Sequence, residues 1–261
     1  QMASVNFLTL GRHRDNVTGL SNDERPVQGA RQPAEGLMVQ GRAIIIHQQF
    51  KELGYHLVGG QETRSKQQGI SESEDCIALH SPATARGQYG CCIWLSKTIP
   101  FDQQGRQCFE KHHITALAWR PRYLLANITT PSFTVDVLVL HAPHSGWGRE
   151  YLKEFWQGLH GALDARNRPK SLLLLADANA KLGSMLSPVV GPLDPEVQCL
   201  AGSFFHQFLI EYDVLLPSTF ADLHTGPTKT WTAPPREGVP SICRRIDYVG
   251  VPREWRPAVR N

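Results

Sequence analysis

The sequence predicts an α/β fold of two mixed, mainly antiparallel sheets packed face to face with helices outside, and periodicity alone accommodates a three-layer sandwich equally well. Three observations carry the prediction. Residues 74 to 141 form successive short runs rich in Ile, Val, Leu, Thr and aromatics, separated by Gly, Pro or Asn, as antiparallel strands joined by turns do. Apolar residues recur at helical spacing on both sides of that block, at Ala43, Ile46, Phe50 and Leu53, then at Tyr151, Phe155, Leu159 and Leu163. Leu172 to Leu175 is an unbroken apolar run, the pattern of a strand buried on both faces.

In chain order, Val5 to Leu10 reads as a first strand, and residues 11 to 40, rich in Gly, Arg, Asn, Gln and Pro, as a polar loop insertion. Residues 42 to 53 form an amphipathic helix that Gly54 stops. A strand over Tyr55 to Gly59 then delivers Gln61 and Glu62 at its C-terminal end. The antiparallel block closes with Phe133 to His141, where Val135, Val137, Val139 and His141 alternate onto one face. After the second helix, Leu172 to Leu175 lead to Asp177, and a third helix carries Phe204, Phe205, Phe208, Leu209 and Tyr212. Lys229 to Thr232 and Arg244 to Val251 are the closing strands, and no internal repeat or low-complexity tract is present.

At 261 residues, with 41% hydrophobic and 20% charged content, the chain suits one large globular domain rather than a disordered one. A formal charge of +3 permits an anionic partner without demanding one. Six cysteines without a CxxC pair imply reduced thiols in an intracellular compartment, nuclear or cytoplasmic, and argue against a zinc site. No signal-like segment and no apolar run of roughly 20 residues supports secretion or membrane insertion. Two sequons, at Asn16 and Asn127, match by chance in that setting.

Polar residues stand where apolar strands give way to loops: Glu62 after LVGGQ, His141 after VLVL, Asp177 and Asn179 around LLLLADAN, and Asp247 inside RRIDYVGV. Each has a bland reading by itself. An Asp-x-Asn after a strand is more often a turn or helix cap, and a histidine at a strand end more often a satisfied core or surface residue. Glu62 reads equally as a solvated strand terminus, and Asp247 as a salt-bridge partner of Arg244 or Arg245. Together they favour a hard-metal site, because carboxylates buried beside apolar strands need a compensating cation.

The ordered set resembles the endonuclease/exonuclease/phosphatase superfamily, which includes pancreatic deoxyribonuclease, abasic-site endonucleases and the endonuclease domains of non-LTR retrotransposons. Asn6 in SVNFLTL resembles the family's first-strand Asn, Glu62 in GGQETR its metal-binding Gln-Glu, and Tyr89 to Trp94 the strand that follows. His141 in LHAPHSG resembles the active-site His or Tyr position, and Asp177 and Asn179 in ADANAKLGS the family's Gly-Asp-Phe-Asn-Ala. Thr230-Trp231 and Arg245-Ile246-Asp247-Tyr248 resemble its Thr-Trp and Arg-Ile-Asp-Tyr pair. Two departures stand out: Ala176 replaces a frequent Gly, and the family's final Ser-Asp-His is absent, so a fragment with its last strand cut short is expected.

The resemblance implies a four-layer sandwich that hydrolyses phosphodiesters with Mg2+, or Mn2+ in its place. Asn6 and Glu62 would hold the metal, and His141, Asp177, Asn179 and Asp247 would be catalytic. The His-Ala-Pro and Asp-Ala-Asn segments favour a DNA endonuclease of retroelement type, with DNA as partner and a reverse transcriptase domain in the parent protein. Two alternatives are a phosphatase or other phosphodiesterase of the same fold, and a degenerate domain that binds nucleic acid without cutting it. With Asp247 lacking a family His, the chain is expected to be weakly active or inactive unless extended through that motif.

Overall fold

Two sheets face each other across an apolar interior in the computed structural model, which describes residues 1–6, 41–102, 104–166, 171–234 and 240–260. The first contains β1 (Met2–Asn6), β2 (Leu57–Gln61), β3 (Gly69–Glu72), β4 (Cys76–His80) and β5 (Cys91–Ser96), in the order β1-β2-β5-β4-β3. The second contains β6 (Ile114–Arg120), β7 (Tyr123–Thr129), β8 (Thr134–His141), β9 (Leu172–Asp177), β10 (Val214–Leu215) and β13 (Asp247–Pro252), in the order β10-β13-β9-β8-β7-β6. A separate ribbon pairs β11 (Trp231–Thr232) with β12 (Cys243–Arg244). Both sheets are mixed: β1 runs parallel to β2 and β8 parallel to β9, and the other pairs are antiparallel.

Three apolar clusters set the layer order. Between the sheets, Ile77, Leu79, Ile93 and Leu95 meet Leu124, Val135, Val137, Val139, Leu173 and Leu175. Behind the second sheet, Leu138, Leu140 and Leu174 pack against α2 (Arg149–Asp164), through Leu152, Trp156 and Leu159, and α3 (Leu200–Glu211), through Phe205 and Phe208. On the outer face of the first sheet, Ile46 and Phe50 of α1 (Arg42–Glu52) cover Val58, Ala78 and Trp94. The result is helix, sheet, sheet, helix, so the four-layer arrangement holds and the three-layer one does not. In β9, Leu173 and Leu175 serve one layer and Leu172 and Leu174 the other, which explains the unbroken apolar run. Each such leucine contributes about 2 kcal/mol of burial.

The sheets approach most tightly at Gly59 in β2. A Cβ there would lie 2.6 Å from Leu175 Cδ1 and 2.8 Å from Val139 Cγ2. Gly59 is three residues before Glu62, so this contact fixes the level of the β2 end against β8 and β9.

Several expectations shift. The first strand starts at Met2, and residues 7–10 with the expected loop at 11–40 lie outside the described residues. The strand expected over Tyr55 to Gly59 is β2, over Leu57–Gln61. β3 escaped the sequence pattern because GISE is short and mostly polar. On α2 the buried face is Leu152, Trp156, Leu159 and Leu163, which turns Tyr151 outward. The single strand expected over Arg244 to Val251 is broken at Arg245 and Ile246. There the buried Arg245 guanidinium donates to Thr228 O and Leu193 O, both at 3.0 Å, instead of continuing the ladder. All six cysteines are free, and no helix among the described residues is long and apolar enough to cross a membrane.

Candidate active site

Strand register brings the polar strand ends together. His141 in β8 lies opposite Asp177 in β9, and Asp177 lies opposite Asp247 in β13, so the three form one row across adjacent strands. Because side chains alternate, His141 shares the face of Val135, Val137 and Val139, and Asp177 that of Leu173 and Leu175, which is the face turned toward the first sheet. Glu62 comes from that first sheet, one residue past β2. His141 Nδ1 lies 3.1 Å from Glu62 Oε1, and His141 Nε2 lies 3.9 Å from Asp177 Oδ2. The imidazole therefore bridges the two sheets at the end of their interface.

The rim is held by backbone as much as by side chains. Gln61 is wholly buried and donates from Nε2 to Ser4 Oγ and to Leu175 O, each at 3.0 Å, tying β1, β2 and β9 together immediately before Glu62. Glu62, Arg64 and Tyr89 all adopt positive φ, at 58°, 54° and 66°. Left-handed backbone at three non-glycine residues costs on the order of 1 kcal/mol each, and such strain concentrates at functional sites. It is imposed by pairing: Thr63 N donates to Gly90 O and Arg64 N to Tyr89 O, and a Cβ on Gly90 would collide with Thr63 Oγ1.

Asn179, also at positive φ, donates from Nδ2 to Ala142 O at 3.0 Å, which leaves its second amide hydrogen for another acceptor. Thr230 Oγ1 accepts from the backbone N–H of both Ile246 (3.1 Å) and Asp247 (3.0 Å), fixing the start of β13. The backbone of Asn6 pairs with Gln61, one strand from Glu62, and its side chain lies outside what is described.

Burial dominates the electrostatics. It raises the Glu62 carboxyl above its ordinary value, opposed by the Arg64 and Arg122 guanidinium groups and by the backbone N–H of Tyr89. It pushes the His141 imidazole down to about 3, helped by Arg122 and His144, so the ring is neutral at physiological pH. Asp247 is pushed up to about 6, against a hydrogen bond from Thr230. A carboxyl with a raised folded-state pKa destabilises the fold once ionised: that cost is absent below the unfolded value of 3.8 and fully present above about 6. Asp247→Asn is thus expected to raise thermal stability by up to about 3 kcal/mol near neutral pH, the gain fading on acidification. Melting curves across pH measure it, and an Asn variant less stable than wild type at neutral pH would refute it.

Among the described residues no group of three or more His, Cys, Asp or Glu is arranged to cage an ion. At its first-sheet end the site offers a desolvated carboxylate, Glu62, whose Oε2 lies 3.7 Å from Arg64 Nε, and an imidazole nitrogen, His141 Nδ1, that is close to it yet makes no hydrogen bond among the described residues. That donor set fits a hard divalent ion that keeps most of its water and takes few protein ligands.

Two residues of this site carried no role in the sequence reading. Arg122 is buried beside His141 and donates from Nη1 to His141 O at 3.3 Å, and Tyr89 packs edge-on to the imidazole at 5.5 Å. An arginine between two strands reads as surface, and nothing in its spacing marks it as buried.

The fold is similar to that of several solved proteins. One is the endonuclease domain of a telomere-specific non-LTR retrotransposon, at TM-score 0.52 and 14% identity over 81% of this chain and 80% of that one. A second is a 3'-5' exonuclease from Neisseria meningitidis, at TM-score 0.56 and 14% identity over 84% and 85%. A third is an AP endonuclease from Leishmania major, at TM-score 0.53 and 13% identity over 83% and 76%. No family model and no curated protein matches the sequence.

Proposed function

For a chain with the endonuclease/exonuclease/phosphatase fold, we propose metal-dependent hydrolysis of nucleic-acid phosphodiesters, as a DNA endonuclease of retroelement type. The observation that carries this reading is the meeting of Glu62, His141 and Asp177 at the end of the sheet interface, with Asp247 beside Asp177. The nuclease names of the structural neighbours support a nucleic-acid substrate. The retroelement assignment rests on His141-Ala142-Pro143 and Asp177-Ala178-Asn179, and carries with it a reverse transcriptase in the parent protein.

Glu62, with Asn6 on the adjacent strand, would hold Mg2+ or Mn2+. A bound divalent ion supplies Lewis-acid stabilisation of charge on the phosphoryl oxygens. Asp177 orients the attacking water and takes its proton, with Asp247 one strand away. Asn179 directs its uncommitted amide hydrogen to a phosphoryl oxygen. His141 donates a hydrogen bond or a proton to the departing side, and burial favours the neutral form of its ring. Burial of Glu62, His141 and Asp177 at the base of the interface excludes bulk water, which strengthens each of these interactions.

Nicking of supercoiled plasmid tests the proposal. Conversion to open circles is expected with magnesium or manganese and none with chelator. Protein that binds DNA and nicks it with neither ion would instead establish the non-catalytic binding reading.

A further inference from the structure

We propose that Arg122, Trp147 and Tyr151 form a track that holds an unpaired nucleotide beside the bond to be cut, so that the preferred substrate is single-stranded or locally unpaired nucleic acid. The inference rests on the nucleic-acid reading above and goes beyond it in naming the substrate class.

The inner end of the track is a buried guanidinium with an uncompleted donor. Arg122 is 8% exposed, its Nε makes no hydrogen bond among the described residues, and the Glu62 carboxyl feels its charge across the site. Among the described residues the one side-chain hydrogen bond of Arg122 runs from Nη1 to His141 O. Burying a guanidinium this way is costly unless an anion completes it, and a phosphodiester arriving at His141 is such an anion. The guanidinium is also held between rings, with Cζ 3.8 Å over Tyr89 and 5.3 Å from the centre of Trp147.

The outer end is aromatic. Trp147 stacks on Tyr151 with ring centres 4.6 Å apart and planes 23° from parallel. Exposure rises along the series, from the buried Arg122 through the half-buried Trp147 to the exposed Tyr151 on the first turn of α2. A phosphate on Arg122 therefore puts the base of a neighbouring nucleotide against these rings. A base held in a duplex has both faces occupied by its neighbours, so only an unpaired, unstacked base can use an aromatic step. Trp147, one residue before the Gly148 N-cap, packed on Tyr151 in the first turn also pins the entry of α2, and that role would alter melting temperature without altering substrate choice.

Binding of a fluorescent single-stranded oligonucleotide and of a hairpin duplex with equal phosphate number, both in chelator so that nothing is cut, separates these roles. Tyr151→Ala and Trp147→Ala are each expected to weaken single-strand binding roughly tenfold and to change duplex binding by less than about twofold, with Trp147→Phe close to wild type. Melting temperatures report whether the variants fold, and Tyr151, being exposed, tests the track if Trp147→Ala does not. Equal loss on both substrates, or no loss on either, overturns the track and leaves the hydrolase proposal standing. Wild-type protein that binds neither oligonucleotide overturns the nucleic-acid reading itself, and the track with it.

Discussion

Asp177→Asn is expected to lower metal-dependent nicking by on the order of 10² to 10⁴, with a melting temperature near that of wild type. Asp177 is 4% exposed and stands in the middle of the row, between His141 and Asp247. Its bland role is that of a turn former, in which Oδ1 accepts the Asn179 N–H at 3.3 Å. An asparagine keeps that oxygen and the side-chain shape, so a turn former would tolerate the change. A water-orienting base would not, because the amide neither takes a proton nor carries charge toward a metal. Rates on supercoiled plasmid at saturating magnesium, taken beside melting curves, separate the two. Wild-type rates in a well-folded Asp177→Asn variant would reduce Asp177 to a structural residue.

Gly59→Val is expected to destabilise the protein by about 2 to 3 kcal/mol, a fall in melting temperature of roughly 5 to 10 °C. The clash is with Leu175 Cβ, 2.7 Å from where a Cβ would sit, as well as with side-chain ends, so rotamer changes alone cannot relieve it. Relief requires the sheets to part locally, and the position is three residues from Glu62. Nicking should therefore fall more than the loss of folded protein explains. Gly161→Ala is the control: it lies on the exposed side of α2, its added Cβ meets nothing within 4 Å, and helix propensity favours alanine. A Gly59→Val protein as stable as wild type would mean that the sheets do not pack at this distance.

The element types and the polar residues of the site were legible because they are local. A run such as Leu172 to Leu175 has to be buried on both faces, and the alternation through Val135, Val137 and Val139 puts His141 on one face whatever its neighbours are. Polar residues closing apolar strands likewise identify themselves, since the desolvation they suffer is set by the residues before them.

Pairing and direction were decided only by the tertiary structure. The antiparallel block predicted over 74 to 141 divides between the two sheets, with β4 and β5 in one and β6, β7 and β8 in the other, because periodicity reports that a face is buried and not what covers it. The same holds for α2, whose contact with α3 selects Trp156 over Tyr151 as the buried ring, and for Arg245, which leaves the strand pattern to bond carbonyls of distant loops. Tyr89 and Arg122 join the site through the pairing of residues 62–64 with 89–90 and through the β6–β7 turn, contacts between segments far apart in the chain. Local sequence thus determined which residues had to be buried, and the packing of one sheet on the other decided which of them meet.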